Sequence, residues 1–206
     1  MGGIMSNTPC QSIIDKTKPN ARILDATAAN RVMWKTRESD KVIWIDIENE
    51  LTVKPDFIMD CTNTEFDDGQ FHTIIFDPPH SFGRTKNTGQ HQTPSQELQI
   101  EKWGRKGSYY GFDKYSTKRE LLGFINKSQL EFQRILSDDG MLWFKWAEIH
   151  CTLDSILPFF KDWKIMLRIE SHSSRAGAGK TRTWWTAFTK NNTSHTNKNG
   201  DNKHES

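Results

Sequence analysis

The most informative segment of the sequence is His72-Thr73-Ile74-Ile75-Phe76-Asp77-Pro78-Pro79-His80. Its first five residues are mostly β-branched or aromatic, which is typical of a buried strand. Asp77 follows at the strand end, where open α/β sheets bind their ligands. The two prolines fix φ and lack N–H groups, so the carbonyls of Asp77 and Pro78 remain as rigid acceptors. A carboxylate, a fixed carbonyl and an aromatic ring at this spacing can hold a planar NH2 group. A strand-ending turn without a ligand is the alternative.

The composition excludes several classes of protein. A chain of 206 residues suits one α/β domain, and its formal charge of +2 gives no global attraction to nucleic acid. Cys10, Cys61 and Cys151 form no C-x-x-C pair, so neither a disulfide framework nor a zinc site is expected. Because there is no run of about 18 apolar residues and no signal pattern, we expect a soluble cytoplasmic protein with no membrane partner.

A strand and a loop of small residues precede this stretch. Residues 21–25 predict a strand, which runs into Ala26-Thr27-Ala28-Ala29-Asn30, and residues 31–35 predict a helix. This order is the first half of a Rossmann-like crossover. Small side chains let a ligand approach the backbone, and the N–H groups at a helix start can hold a carboxylate. Asp25 at the strand end can hold an ammonium group. An ordinary β–α turn is the alternative.

Four successive predicted strands end in aspartate, at Asp25, Asp46, Asp60 and Asp77. An acidic residue about 20 positions beyond the loop holds ribose hydroxyls in Rossmann-type sites, which makes Asp46 the first choice and Glu48 the second. Asp60, with Cys61 beside it, falls at the end of the third strand. Aspartate is also common in turns, so each of these carboxylates can instead be a solvated turn residue.

The second half of the chain predicts the rest of an α/β sheet. Residues 117–136 have apolar side chains at helical spacing and a cap at Ser116 or Thr117. The remaining predicted elements are a fifth strand at 141–146, a helix at 153–160, and a hairpin of strands at 163–171 and 183–190.

The segment 81–115 separates the two halves and differs from both, because it has no apolar periodicity and many glycines. Basic side chains interleaved with aromatic ones suit phosphates and unstacked bases, so we expect this insertion to contact the substrate. A loop whose aromatics pack on its own domain is the alternative. The predicted substrate-binding residues are Arg84, Lys102, Trp103, Arg105, Lys106, Tyr109 and Tyr110.

Three other segments carry no predicted chemistry. Residues 1–20 are expected to form a cover segment on a domain that spans 21–190. The loop 175–181 resembles a phosphate-binding loop, but Ser174 replaces the first glycine and a strand follows, so nucleotide hydrolysis is excluded. The tail 191–206 is polar and is expected to be disordered.

Two of these motifs resemble those of one enzyme family. Asp77-Pro78-Pro79-His80 is similar to the Asp/Asn/Ser-Pro-Pro-Tyr/Phe/Trp/His motif of S-adenosylmethionine-dependent amino-methyltransferases. The loop after the first strand is similar to their Asp-x-x-x-Gly-x-x cofactor motif, with Ala28 and Ala29 where glycine is expected. Because alanine tolerates positive φ poorly, this loop is expected to bend differently or to hold the cofactor farther out. With the Phe-Lys-Trp sequence at 144–146, the chain most resembles a compact, often phage- or prophage-associated group.

The resemblance implies a class I methyltransferase fold, with a mostly parallel seven-stranded sheet, an antiparallel edge strand and helices on both faces. It implies S-adenosylmethionine as cofactor, no metal, and catalytic roles for Asp77, Pro78, Pro79 and His80, the last stacking on the target base. The expected cofactor-binding residues are Asp25, Ala26, Thr27, Ala28, Asn30, Asp46, Asp60 and Cys61.

The expected reaction is methylation of an exocyclic amine of a nucleic-acid base, namely N6 of adenine, with DNA favoured over RNA by the resemblance alone. Three alternatives stay open from the sequence. They are an RNA adenine methyltransferase, methylation of an amine or amide in a protein or small molecule, and a catalytically silent nucleic-acid-binding subunit. The missing glycines of the cofactor loop favour the silent subunit, whereas the intact Asp77-to-His80 motif argues against it.

Overall fold

The computed structural model describes residues 9–49, 51–83, 114–172 and 181–191. The predicted substrate-binding residues, from Arg84 to Tyr110, lie outside these ranges, as do 173–180 and 192–206. The described elements are α1 (Pro9–Thr17), β1 (Ile23–Asp25), β2 (Val42–Asp46), β3 (Phe57–Ile58), β4 (Phe71–Phe76), α2 (Lys118–Ile135), β5 (Leu136–Ala147), α3 (Leu153–Ile156), a 3₁₀ helix (Leu157–Phe160), β6 (Trp163–His172) and β7 (Arg182–Lys190).

The strands form one sheet in the order β3-β2-β1-β4-β5-β7-β6. The neighbours from β3 to β5 pair in parallel, and β7 pairs antiparallel with both β5 and β6. The predicted hairpin is therefore present, with β7 lying between β5 and the edge strand β6. This is the Rossmann-like sheet of the class I methyltransferase fold, as predicted. Its parallel strands bring the carboxyl ends of β1 to β5 to one edge.

Helix α2 begins and packs as its sequence pattern predicts. Thr117 caps it, because the Thr117 hydroxyl accepts a hydrogen bond from the backbone N–H of Glu120. Its buried face belongs to the larger core cluster, which also holds Leu24, Ile74 and Leu142 on neighbouring strands, and the buried residues of α1, α3 and the 3₁₀ helix. These three strand residues are in register, so they form one row across the sheet.

A smaller core cluster contains no helical residue. It consists of Ala28, Val42 and Trp44, with Ile23 and Trp34 packed against them. In the described part of the chain, this cluster is therefore covered by the loop that follows β1.

The helix predicted over residues 31–35 is wrong, because the chain forms turns there. Arg31 has a φ of 55°, which a right-handed helix does not allow. Its guanidinium donates to the carbonyls of Arg37 and Lys54 and lies 3.9 Å from the centroid of the Trp44 ring. These tertiary contacts outweigh the local helical spacing. The helix start that was expected to supply N–H groups to a ligand is therefore not formed here.

Candidate active site

The predicted aspartates meet at the carboxyl edge of the sheet. Asp25 and Asp46 are the last residues of β1 and β2, Asp60 lies shortly after β3, and Asp77 directly follows β4. They line one pocket, which puts the predicted cofactor residues beside the Asp-Pro-Pro motif. Among the described residues, the lining consists of Asp25, Ala26, Thr27, Ala28, Ala29, Val32, Met33, Asp46, Ile47, Met59, Asp60, Cys61, Asp77, Pro78, Pro79, Lys114, Phe124 and Lys145.

Asn30 is the one predicted cofactor residue that does not line this pocket. Its side chain is buried, and its Oδ1 accepts a hydrogen bond of 3.0 Å from the backbone N–H of Val53. Asn30 therefore tethers the loop after β1 to the segment before β3. The Asn30 side chain thus contacts the backbone of this chain and does not face the pocket.

The loop after β1 adopts a left-handed conformation at Ala29, with a φ of 43°. Ala29 therefore adopts the positive φ that alanine was expected to avoid. The backbone N–H of Ala29 donates to Asp46 Oδ2 at 2.9 Å, and that of Ala28 donates to the Ile45 carbonyl at 3.0 Å. These two bonds fix the loop to the end of β2 and compensate for the conformational cost of an L-residue at positive φ.

We predict that Ala29→Gly raises the free energy of unfolding, by up to about 1 kcal/mol, because glycine adopts positive φ without the Cβ clash. Ala28→Gly is the matched control. Ala28 has no positive φ, so glycine there should lower the free energy of unfolding by roughly 0.5–1 kcal/mol. Urea unfolding of the two variants measures both changes. Equal destabilisation by both would contradict the account of this loop.

Asp25 is a buried carboxyl group beside other carboxylates. Its Oδ2 accepts a 2.6 Å hydrogen bond from the indole N–H of Trp34, and its Oδ1 accepts one of 3.3 Å from the backbone N–H of Thr27. Burial raises the pKa of Asp25 to about 7, and the charges of Asp77 and Asp46 add to the rise, while the two hydrogen bonds lower it. A positive charge brought into the pocket would favour the ionised form of Asp25.

This raised pKa predicts how stability depends on pH. Between pH 3.8, the ordinary value, and about 7, folded Asp25 keeps a proton that the unfolded chain releases. The Asp25 contribution to the free energy of unfolding therefore falls as pH rises through this window, by at most about 1.4 kcal/mol per pH unit. It is constant above the window.

Asp25→Asn should remove this dependence, because an amide does not titrate. The test is the difference in unfolding free energy, wild type minus variant, measured by urea unfolding across the window. That difference should fall with rising pH. Asp40→Asn, the same change at a side chain that is 67% exposed, serves as the control. A difference for Asp25→Asn that stays constant with pH would mean that folding does not change the pKa of Asp25, and one that grows with pH would mean that folding lowers it; either result would contradict the raised pKa.

Asp77 is held by three neighbours. Its Oδ2 accepts from Lys145 Nζ at 2.7 Å, its Oδ1 lies 3.0 Å from His80 Nε2, and its backbone N–H donates to Thr27 Oγ1 at 2.9 Å. Burial by itself raises the pKa of Asp77, but the hydrogen bonds and charges of His80 and Lys145 outweigh burial and hold it below its ordinary value. Asp77 is thus a fixed, ionised hydrogen-bond acceptor at neutral pH.

His80 occupies a different place from the one expected. It is buried, it does not line the pocket, and its ring packs edge-on against Trp146 with 5.2 Å between centroids. A ring in this position orients the Asp77 carboxylate and has no open face for a base.

Lys145 is a site residue that the sequence reasoning did not select. It lies on β5 between Phe144 and Trp146, which are fully buried, and its side chain projects into the pocket beside Asp77. The signal was present as one charged residue within an apolar strand. Lys114 and Phe124 also line the pocket without having been predicted.

Asp60 and Cys61 close the pocket next to β3. Asp60 Oδ1 accepts from the backbone N–H of Thr62 at 2.9 Å, which forms a local turn. Cys61 is buried with its Sγ 3.6 Å from Ser128 Oγ, and burial raises the pKa of its thiol. Cys61 is therefore a wall of the pocket and not a nucleophile.

Two further properties concern the described residues only. Within residues 9–49, 51–83, 114–172 and 181–191, no group of three or more His, Cys, Asp or Glu side chains is arranged to hold a metal ion. In the same ranges, no helix combines the length and the apolar character needed to cross a membrane.

The strand order and the pocket at the carboxyl ends of β1 to β4 define a protein of the class I methyltransferase fold. Searches with the sequence found no matching family model and no matching curated protein. Among solved structures, the fold is similar to a TehB-like SAM-dependent methyltransferase from Corynebacterium glutamicum, with 13% identity, a TM-score of 0.47, and coverage of 87% of this chain and 85% of that chain. An rRNA methylase from Streptococcus thermophilus matches with 12% identity, a TM-score of 0.36, and coverage of 90% and 98%. At these low TM-scores, the fold assignment rests on the strand order and register of this sheet.

Proposed function

We propose that this protein is an S-adenosylmethionine-dependent N-methyltransferase that acts on an exocyclic amine of a nucleic-acid base, namely N6 of adenine, with DNA favoured over RNA. The observation that carries the proposal is the shared pocket. The loop of small residues after β1, the acidic ends of β1 and β2, and Asp77-Pro78-Pro79 line the same cavity.

The residues of the pocket fit such a cofactor. Its acidic side chains, Asp25, Asp46 and Asp60, would hold ammonium and hydroxyl groups. Each carboxylate oxygen can accept more than one hydrogen bond, so the backbone contacts of Asp46 leave it capacity for a ligand. Met59, Ile47 and other apolar side chains supply walls for a planar ring. When bound, the cofactor supplies an electrophilic methyl group.

Asp77 and the Pro78 carbonyl would hold the two N–H groups of the target amine. Delocalisation into the ring makes this amine a poor nucleophile, and two acceptors of fixed geometry can draw its lone pair out of conjugation. Their orientation contributes through proximity, and the negative charge of Asp77 and the dipole of the Pro78 carbonyl stabilise the positive charge that develops on the nitrogen. The low pKa of Asp77 keeps it in the accepting form at neutral pH. A base in a duplex would first have to leave the stack, at a cost of roughly a few kcal/mol.

Transfer of a radiolabelled methyl group tests this function. The protein is incubated with labelled S-adenosylmethionine and, separately, genomic DNA, total RNA or a nuclease-treated lysate. We expect label that is sensitive to nuclease and resistant to protease. Label that is released by protease from the lysate would identify a protein methyltransferase. An absence of label in all three, together with cofactor binding by calorimetry, would indicate a silent subunit.

A further inference from the structure

Lys145 lies beside Asp77 because of the register of the sheet. Phe76 of β4 is paired with Phe144 of β5. The residues that follow these two, Asp77 and Lys145, are therefore neighbours. Lys145 Nζ is 2.7 Å from Asp77 Oδ2, and both side chains line the pocket. An acceptor oxygen and a donor nitrogen thus stand side by side at the place where the target amine would bind.

The two oxygens of Asp77 have different surroundings. Oδ1 faces His80, whose side chain is 7% exposed, whereas Oδ2 faces Lys145, whose side chain is 25% exposed. An ammonium group has three donors. Within the part of the chain that the structure describes, Lys145 makes one hydrogen bond, to Asp77. The remaining donors are available to a ligand in the pocket.

We infer that Asp77 Oδ2 and Lys145 Nζ together recognise the edge of adenine, in which the N6 amine lies next to an unprotonated ring nitrogen. Asp77 accepts from N6–H, and Lys145 donates to the ring nitrogen, N1 on one side of the amine or N7 on the other. This inference rests on the proposed function and adds a specificity-determining residue to it. An Asn or Gln amide reads adenine with the same side-by-side acceptor and donor.

The pair also disfavours the other kind of amine substrate. An aliphatic amine is protonated at neutral pH, so it has no free lone pair for the methyl group, and the Lys145 ammonium is a donor that cannot take up its proton. It also has no ring nitrogen that could accept a hydrogen bond from Lys145, so this N–H group of Lys145 would find no partner in such a substrate. Both effects favour a neutral heteroaromatic amine.

Deaza analogues of adenine test the inference with the wild-type protein. Random-sequence pools of DNA and of RNA are made in three forms, with adenine, with 1-deazaadenine or with 7-deazaadenine throughout. Each analogue keeps the amine and replaces one ring nitrogen by carbon. Methyl transfer from labelled S-adenosylmethionine should be slower by about tenfold or more on one analogue pool than on the adenine pool. Equal rates on all three forms would overturn the inference.

Two variants assign the effect to Lys145. Lys145→Met keeps the length of the side chain without a donor, so it should slow transfer to adenine and give equal rates on adenine and on the sensitive analogue. Lys145→Arg retains donors and should preserve part of the discrimination. If Lys145→Met still discriminates as the wild type does, another group reads the ring nitrogen and the inference is wrong. Thermal unfolding of each variant tests whether it is folded. If Lys145→Met is inactive, the ratio of the Lys145→Arg rates on adenine and on the sensitive analogue is used instead.

The failure of the proposed function looks different from the failure of this inference. Transfer to none of the pools would refute the proposed function and the inference with it. Transfer that produces methylated cytosine, found by nucleoside analysis, would keep the methyltransferase and overturn the reading of adenine. Transfer to adenine with no effect of either analogue would overturn only the role of Lys145.

Discussion

Replacing Asp77 by alanine is expected to lower the rate of methyl transfer by at least about 10²–10³-fold, because the variant loses the charged acceptor for the target amine. Cofactor affinity should stay within a few-fold of the wild type, since the acidic residues at the ends of β1 and β2 are unchanged. Single-turnover rates with labelled S-adenosylmethionine and calorimetry of cofactor binding measure the two quantities separately.

Asp77→Asn and an exposed aspartate complete this comparison. Asparagine keeps an accepting oxygen but loses the charge that pairs with Lys145 and His80, so we expect partial activity. Asp139→Ala, at a side chain that is 80% exposed, should behave as the wild type. Because Asp77→Ala leaves Lys145 and His80 without their common partner, its thermal unfolding must be recorded as well. Wild-type activity of Asp77→Ala would mean that Asp77-Pro78-Pro79-His80 is only a strand-ending turn.

Asp46→Ala is expected to weaken cofactor binding by roughly 1–3 kcal/mol, which is about 5- to 150-fold in Kd. Two causes act together. The variant loses an acceptor for the ribose hydroxyls, and Ala29 loses the acceptor that holds its backbone N–H at 2.9 Å. Isothermal titration with S-adenosylmethionine gives the affinity, and urea unfolding reports how much the loop itself is weakened.

Glu48→Ala is the matched control for Asp46→Ala, because Glu48 was the second choice for the ribose contact from the sequence. Glu48 does not line the pocket, whereas Asp46 does. Its removal should change the Kd by less than about twofold. A larger effect from Glu48→Ala than from Asp46→Ala would move the ribose site away from the end of β2.

The first four strands of the sheet could be predicted from the sequence because they lie in short apolar runs, each with an aspartate at its end or shortly after it. The run that ends at Asp77, for example, has the period and the β-branched content of a buried strand, and nothing in the fold opposes that preference. Parallel strands then bring their carboxyl ends to one edge. For this reason, the strand ends alone were enough to predict most of the residues that line the pocket.

The turn over residues 31–35 and the place of His80 depend on long-range contacts and could not be predicted in this way. The spacing of Val32, Met33 and Trp34 favours a helix locally, but the hydrogen bond from the Trp34 indole to Asp25 and the stacking of Arg31 on Trp44 are decided by the packed sheet. His80 points towards Trp146, which lies 66 positions further along the chain. Such contacts produce no periodic pattern of residue types in the sequence.

The role of Lys145 could be predicted only in part. Its alternation with buried Phe144 and Trp146 already predicts that it points to the opposite face of the sheet. Only the register between β4 and β5 shows that this face carries Asp77 at the same level. The single charge of Lys145 in an apolar strand was therefore a usable signal for a site residue, whereas its pairing with Asp77 could not be predicted.

Nucleoside analysis of the methylated product identifies both the methylated base and the nucleic acid that carries it. Wild-type protein is incubated with methyl-deuterated S-adenosylmethionine and genomic DNA or total RNA, and the nucleic acid is digested and analysed by mass spectrometry. We expect deuterated N6-methyladenine nucleoside, in DNA rather than RNA, that is absent from the Asp77→Ala reaction. Deuterium found only in another nucleoside, or N6-methyladenine formed equally by Asp77→Ala, would refute the proposed function.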